Sequence, residues 1–171
     1  MSGDATELNT PESWPGQLWL EGQTIIHLKN EQERPTHMPR GPAKNTGQGF
    51  LNPAMAPART RSVLLLADAL EHDWLVPGDK PIRALDALCA TGVRVRRWRN
   101  EIPSNHQNRL KITANDLDEF AIEWTKISHI THPPEVIVEQ QFEEDRYNKI
   151  PTGEIINGIH IQRLDARVAM M

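Results

Sequence analysis

Residues 82–94 read IRALDALCATGVR, and the rest of the chain can be laid out from the join they contain. The run from Ile82 to Leu88 is short and apolar and follows Pro81. That length and composition suit a strand buried in a parallel sheet. Small residues come next, at Ala87, Cys89, Ala90 and Gly92, and they let backbone approach a ligand closely. A short helix is predicted over 92–100, opening at Thr91-Gly92, and its free N–H groups suit a carboxylate. Downstream, LKITAN at 110–115 alternates and reads as a second strand. Residues 117–129 follow as a helix, with Phe120, Trp124 and Ile127 on one face and Asp116 or Asp118 as its N-cap. Upstream, Val63, Leu66, Ala67, Leu70 and Trp74 share a helical face over 61–75, and Pro77-Gly78 ends it. The order helix, strand, helix, strand, helix predicts an α/β fold built from right-handed βαβ units, its parallel sheet covered by helices.

The flanks are less regular. Residues 18–28 read as two extended pieces around Glu21-Gly22. Residues 30–49 form a Pro- and Gly-rich loop, and residues 1–15 a frayed, polar start. Pro133-Pro134 breaks the chain before a possible short strand at 135–138. Ile155-Ile156, Asn157-Gly158 and Ile159 then spell a type I′ hairpin within 154–164.

Composition narrows the class. With 38% hydrophobic and 25% charged residues, the 171-residue chain is globular and of single-domain size. No apolar run approaches the ~20 residues of a membrane span. The N-terminus lacks the basic and apolar regions of a signal peptide, so a cytoplasmic protein is expected. Cys89 stands alone, which excludes an internal disulfide and a cysteine-only zinc cage, and no metal site is expected. A net charge of −4 argues against a large nucleic-acid surface. Two basic stretches, 34–61 and the run Arg94, Arg96, Arg97 and Arg99, flank the loop at 86–94; they serve a ligand or form a solvated helix face.

In an open α/β sheet, ligands bind beyond the carboxyl ends of the strands. The loop at 86–94 lacks the G-x-G-x-x-G that a pyrophosphate needs. A ligand with one carboxylate and no pyrophosphate, such as S-adenosylmethionine, is therefore favoured over NAD. An NAD-binding Rossmann oxidoreductase is the alternative. Asp116, at the tip of the second strand, lies 24 positions after Gly92 (116 − 92), near the ~20 usual for an acid that holds ribose hydroxyls. Its other reading is a helix cap, and Asp116 and Asp118 can divide the two tasks.

Taken together, these stretches resemble the tRNA (guanine-26-N2) dimethyltransferase family. The resemblance rests on Glu21-Gly22; on Phe50-Leu51-Asn52-Pro53-Ala54-Met55 followed by Arg59; on Leu85 to Arg94, similar to the family's L-D-A-L-S-A-T-G-I-R; and on Asn115-Asp116 and Asp165-Ala166. It spans about residues 20–168. It implies a Rossmann-like class I methyltransferase sheet, here incomplete, with an N-terminal β/loop extension over 1–49 and the partial S-adenosylmethionine-binding domain over 50–171. It implies cofactor contacts from Arg59, Asp86, Gly92, Arg94, Asp116, Asp165 and Ala166, and substrate contacts from Phe50 and Asn52. Arg59 or Arg94 would hold the methionine carboxylate, and Asp165 and Ala166 the adenine. The partner it implies is tRNA. The family's D-P-F/Y-G motif and C-terminal domain are not found before Met171, so no catalytic residue is assigned. A non-catalytic cofactor-binding fragment is thus a further alternative. Ala54, Thr60-Arg61 and Cys89 depart from the family pattern.

Overall fold

The structure is a computed structural model and describes residues 15–28, 51–78, 80–140 and 153–170. Gln17–Glu21 (β1) and Thr24–Leu28 (β2) form an antiparallel hairpin, in register from Gln17↔Leu28 to Glu21↔Thr24. A single 3-10 turn at Pro53–Met55 leads into helix Ala56–His72 (α1). Then come Ile82–Asp86 (β3), Val93–Glu101 (α2), a 3-10 segment at Ser104–Arg109, Leu110–Asn115 (β4) and Glu119–Thr131 (α3). Glu154–Ile156 (β5), Ile159–Gln162 (β6) and the short Ala166–Ala169 (α4) complete the described chain.

The second sheet has the order β3-β4-β6-β5. β3, β4 and β6 are mutually parallel, and β5 returns antiparallel beside β6. Its core follows the period-2 rule of strands. Ile82 and Ala84, Leu110, Ile112 and Ala114, and Ile159 and Ile161 are buried with Val63, Leu70, Val95, Trp98 and Ile122 from the three long helices. The residues between them, Arg83, Leu85, Lys111, Thr113 and His160, are less buried. Among the described residues, then, the helices cover one face of the sheet. The hairpin β1–β2 adds an outer layer, with β2 lying against α2 and α3. Ile26 and Leu28 pack there with Val93, Trp19 and Leu51.

The parallel βαβ layout and both hairpins match expectation. At the Asn157-Gly158 turn both residues take positive φ (45° and 79°), as type I′ geometry requires. Four details differ. Helix α1 starts at Ala56 rather than near 61, because Pro57 pre-sets the first turn and Asn52 caps the 3-10 turn before it. It stops at His72 because Asp73 is left-handed (φ 54°), so Trp74 lies past its end and bonds Asp68 instead. Residues 135–138 form no strand: the place beside β6 is taken by β5. Val138 packs its carbonyl against Gly158 instead, and a Cβ at Gly158 would meet that oxygen at 2.5 Å. The fourth difference concerns the arginines of α2, taken up below. The loop expected at 30–49 lies outside the described residues.

Candidate functional site

Three strand tips meet at one rim of the sheet. The loop after β3 bonds to the end of β4 through Cys89 N–H to the Asn115 carbonyl (2.8 Å) and Ala90 N–H to Asp116 Oδ2 (2.9 Å). The end of β4 bonds to the end of β6 through Asp116 N–H to the Gln162 carbonyl (3.4 Å). Asn115 fastens all three. Its buried amide donates to the Ala87 and Leu164 carbonyls (3.0 Å each) and accepts from Leu164 N–H (3.1 Å). From sequence Asn115 was read only as part of the strand tip. A buried amide there leaves backbone groups of both neighbouring loops satisfied, which is the cheapest way to close a rim away from water.

Asp116 and Asp118 divide their tasks. Asp118 caps α3, accepting from Phe120 N–H at 2.9 Å. Asp116 takes Ala90 N–H on one oxygen and Asp118 N–H (3.0 Å) on the other. A carboxylate has about four lone-pair positions, so Asp116 retains acceptor capacity. Gly92 opens α2 in the left-handed region, at φ 71°. Ala90 does the same at φ 48° without the freedom of glycine.

The electrostatics of the rim are unsettled by design of the fold rather than saturated. Asp86 ends β3 nearly buried, and burial raises its pKa to about 6. Arg94 opposes that rise and the Asp116 carboxylate adds to it. The Arg94 Nε lies 3.9 Å from Asp86 Oδ2, beyond hydrogen-bonding distance, and has no hydrogen-bond partner. Thr91 Oγ1, buried in the same loop, also has none. Asp165 caps α4, accepting from Arg167 N–H at 2.9 Å, and the Arg167 guanidinium and this N–H hold its carboxyl below the ordinary range. Ala166 is the first residue of α4. Leu164, which Asn115 grips, places this pair at the same rim.

Arg59 sits differently. It is buried, and its Nε and Nη2 donate to the Glu21 carboxylate at 2.7 and 2.5 Å. Its Nη2 also donates to the Asn52 carbonyl at 3.2 Å. The Asn52 side chain accepts from Ala54 N–H. Arg59 thus joins α1 to the hairpin, and its charge still reaches Asp86. Phe50 lies outside the described residues.

The other arginines of α2 neither line the rim nor form a solvated face. Arg96, Arg97 and Arg99 are all buried. Arg96 donates to the Ile25 and His132 carbonyls (3.1 and 2.7 Å) and meets His129 Nδ1 at 2.7 Å. Burial and the Arg96 charge push His129 down to about 3, so its ring is neutral at ordinary pH. Arg97 pairs with Glu101 in bidentate fashion (2.7 Å each) and with Glu21 at 3.1 Å. Burial alone would raise the Glu21 pKa, but Arg59 and Arg97 hold it low. Arg99 reaches the Gly158, Leu110 and Gln107 carbonyls. A 3.6-residue period turns three of the four side chains inward, toward elements that the sequence order does not reveal.

Away from the rim, a cavity of about 370 Å³ lies between Gln23 and the C-terminal ends of α2 and α3. The unpartnered Arg99 Nε and Asn100 Oδ1 border it but are closed off from solvent. Among the described residues, no three His, Cys, Asp or Glu side chains group to hold a metal, and no helix is long and apolar enough to cross a membrane.

Known proteins share this fold. The fold is that of Trm1 from Pyrococcus horikoshii, solved in complex with S-adenosyl-L-methionine, with a TM-score of 0.51 at 22% identity over 90% of this chain and 32% of that one. Two curated relatives are each named tRNA (guanine(27)-N(2))-dimethyltransferase. The Bos taurus protein is 29% identical over 92 residues, covering 53% of this chain and 12% of its own length. The Macaca fascicularis protein is 28% identical over 122 residues, covering 71% and 16%. The chain therefore spans less than a fifth of the curated relatives it matches. The family model for N2,N2-dimethylguanosine tRNA methyltransferase matches residues 26–152, which include the end of the hairpin's second strand, α1, the whole rim loop and Asp116. With most of its length matched, the chain belongs to the N2,N2-dimethylguanosine tRNA methyltransferase family.

Proposed function

We propose that this chain forms the S-adenosylmethionine-binding part of a tRNA guanine-N2 dimethyltransferase. The observation that carries the proposal is the bond from Ala90 N–H to Asp116 Oδ2, because it sets the small-residue loop and the acidic tip side by side at one rim. In this reading residues 50–171 supply the cofactor site and residues 1–49 form its N-terminal extension. The donor set fits the cofactor. Arg94 is the rim cation with an unpartnered Nε, and it takes the methionine carboxylate beside the N-terminus of α2. Asp116 takes the ribose hydroxyls with its remaining acceptor capacity. Asp165 and the Ala166 backbone would take the adenine, and Asp86, at the end of β3, would contribute its carboxyl to the same rim. Gly92 allows the chain to turn into α2 close to the ligand. Arg59, committed to Glu21, contributes its charge to the floor rather than a direct bond, and Asn52 and Phe50 belong to the substrate side.

The bound cofactor supplies an electrophilic methyl group on a sulfonium. The chain's own residues bind and orient it, and the Asn115 and Asp116 bonds fix the loop in place; for a transfer that needs in-line approach, positioning is the main contribution. No residue of this chain is assigned to accept the proton that leaves the guanine N2. The curated relatives are named for guanine 27, whereas the resemblance read from sequence points to guanine 26; N2 dimethylation of a tRNA guanine is common to both. The partner in this reading is tRNA, and a cytoplasmic setting is proposed with it.

Calorimetric titration with S-adenosylhomocysteine, with NAD in parallel, tests the reading. Binding of the first and not the second is expected. Binding of NAD alone transfers the site to the oxidoreductase alternative. Purified chain alone is expected not to methylate tRNA.

A further inference from the structure

Thr125 lies in the middle of α3 and is fully buried, yet it spends its hydroxyl outside its own helix. A helical threonine ordinarily bonds the carbonyl four residues back. Thr60 and Thr131 do so, to Ala56 and Ile127. Thr125 Oγ1 instead donates to the Ala90 carbonyl at 3.3 Å, across 35 residues of sequence. The same oxygen is 3.6 Å from Cys89 Sγ. One hydroxyl has one hydrogen, so the thiol donates and the relay runs from Cys89 S–H to Thr125 O–H to the Ala90 carbonyl. Burial pushes the Cys89 thiol far up, which keeps its hydrogen in place. Thr125 also fills the space above Gly92, where a Cβ would come within 2.7 Å of both its Cγ2 and its Oγ1. It therefore touches Cys89, Ala90 and Gly92, the turn of the rim loop.

That turn is strained at one place. Ala90 has φ 48°, in the region where a Cβ crowds the backbone. Its peptide groups are gripped at both ends, the N–H by Asp116 and the carbonyl by Thr125. We propose that Thr125 is a positioning residue for cofactor binding: its hydroxyl locks the left-handed turn at Ala90, so that Asp116 and the start of α2 present a preformed cradle. The inference rests on the reading of the rim as the cofactor site. It gives Asp116 a double duty, since one of its oxygens serves the turn while its free lone pairs serve the ligand. Locking by Thr125 keeps the turn when the ligand competes for that carboxylate.

The test uses the whole 171-residue chain with Thr125→Val, Thr125→Ser and Ala90→Gly. Valine keeps the shape and removes the hydroxyl, serine keeps the hydroxyl, and glycine takes φ 48° without strain. Two quantities are read: affinity for S-adenosylhomocysteine by calorimetry, and the carbon chemical shifts of residue 90, which distinguish left-handed from extended backbone. Thr125→Val is expected to weaken binding roughly tenfold, the equivalent of one lost hydrogen bond, and to erase the left-handed signature. Thr125→Ser is expected to stay within about twofold of the parent. In the Ala90→Gly background the valine change is expected to lose most of its effect. Unchanged affinity in Thr125→Val, or an equal loss in Thr125→Ser, overturns the proposal. If the parent chain binds no S-adenosylhomocysteine, the cofactor reading fails by itself. The shifts then judge the lock alone: a left-handed signature that survives in Thr125→Val overturns it, and one that disappears supports it. Should Thr125→Val not fold, Thr125→Ala takes its place against Thr125→Ser.

Discussion

Helix α2 joins two regions that use the same residue type in opposite ways. At its first turn, Arg94 stands at the rim, part exposed, in a loose ion pair with Asp86 but not hydrogen-bonded to it. Within the next five positions Arg96, Arg97 and Arg99 are buried, and they bind carbonyls, a carboxylate or a hydroxyl of the hairpin, α1, β4, the His132 end of α3 and the β5–β6 turn. The inner group has nearly all its donors answered, so it can hold a fold but recognise little. The rim keeps charge close together with acceptor and donor capacity left over. A binding site differs from a structural ion network less in its residues than in what remains unspent.

The contrast can be broken most forcefully in the inner group. Glu21→Ala leaves Arg59 and Arg97 buried with a shared partner gone, and a loss of about 3–5 kcal/mol is expected by urea unfolding. A loss below about 1 kcal/mol would mean that the network is ornamental. At the rim the expectation reverses. Asp116→Ala should lower S-adenosylhomocysteine affinity roughly tenfold to a hundredfold, while stability falls by only about 1 kcal/mol. Equal damage to folding and binding would erase the distinction between the two regions.

Asp86 sharpens it further. Its pKa in the folded chain, raised to about 6, lies above its ordinary value of 3.8. The stability this group contributes is therefore fully present below about pH 4 and is lost as pH rises through 6. Asp86→Asn, which cannot ionise, is expected to be more stable than the parent at pH 7 by about 1–2 kcal/mol and to show no gain at pH 4. Thermal unfolding at the two pH values checks this, and a gain that is the same at both would show that burial of the charge is not the cause. The smallest effect is expected at Cys89→Ser. Serine donates to Thr125 as the thiol does, so affinity should change by less than about twofold and stability by less than about 1 kcal/mol. A loss of several kcal/mol would show that the larger sulfur fills space the loop depends on.

Much of the rim was legible before any coordinates. The places of Gly92 at the helix start and of Asp116 at the strand tip, and the capping of α3 by Asp118, followed from the strand, loop, helix pattern, because each is a local consequence of chain direction. The helix limits were missed by local chemistry that hydrophobic periodicity does not register: Pro57 and Asn52 at the start of α1, left-handed Asp73 at its end. The strand expected at 135–138 does not form; β6 has β4 and β5 as its neighbours, and which segments pair is a non-local outcome. Asn115 was legible only as part of the Asn115-Asp116 tip, and Thr125 carried no signal beyond its letter. Their partners, Leu164 and Ala90, lie 49 and 35 residues away.

The order of residues alone determined that a parallel α/β sheet forms, that its first loop turns on small residues, and that an acid stands at the next strand tip. These follow from periodicity and turn chemistry, which act over a few residues. Only the tertiary structure decided which charges are spent. Arg59 and three arginines of α2 went inward and Arg94 stayed at the rim, because a buried guanidinium is stable only where carbonyls and carboxylates from distant segments converge on it, and that convergence exists only once the chain has folded.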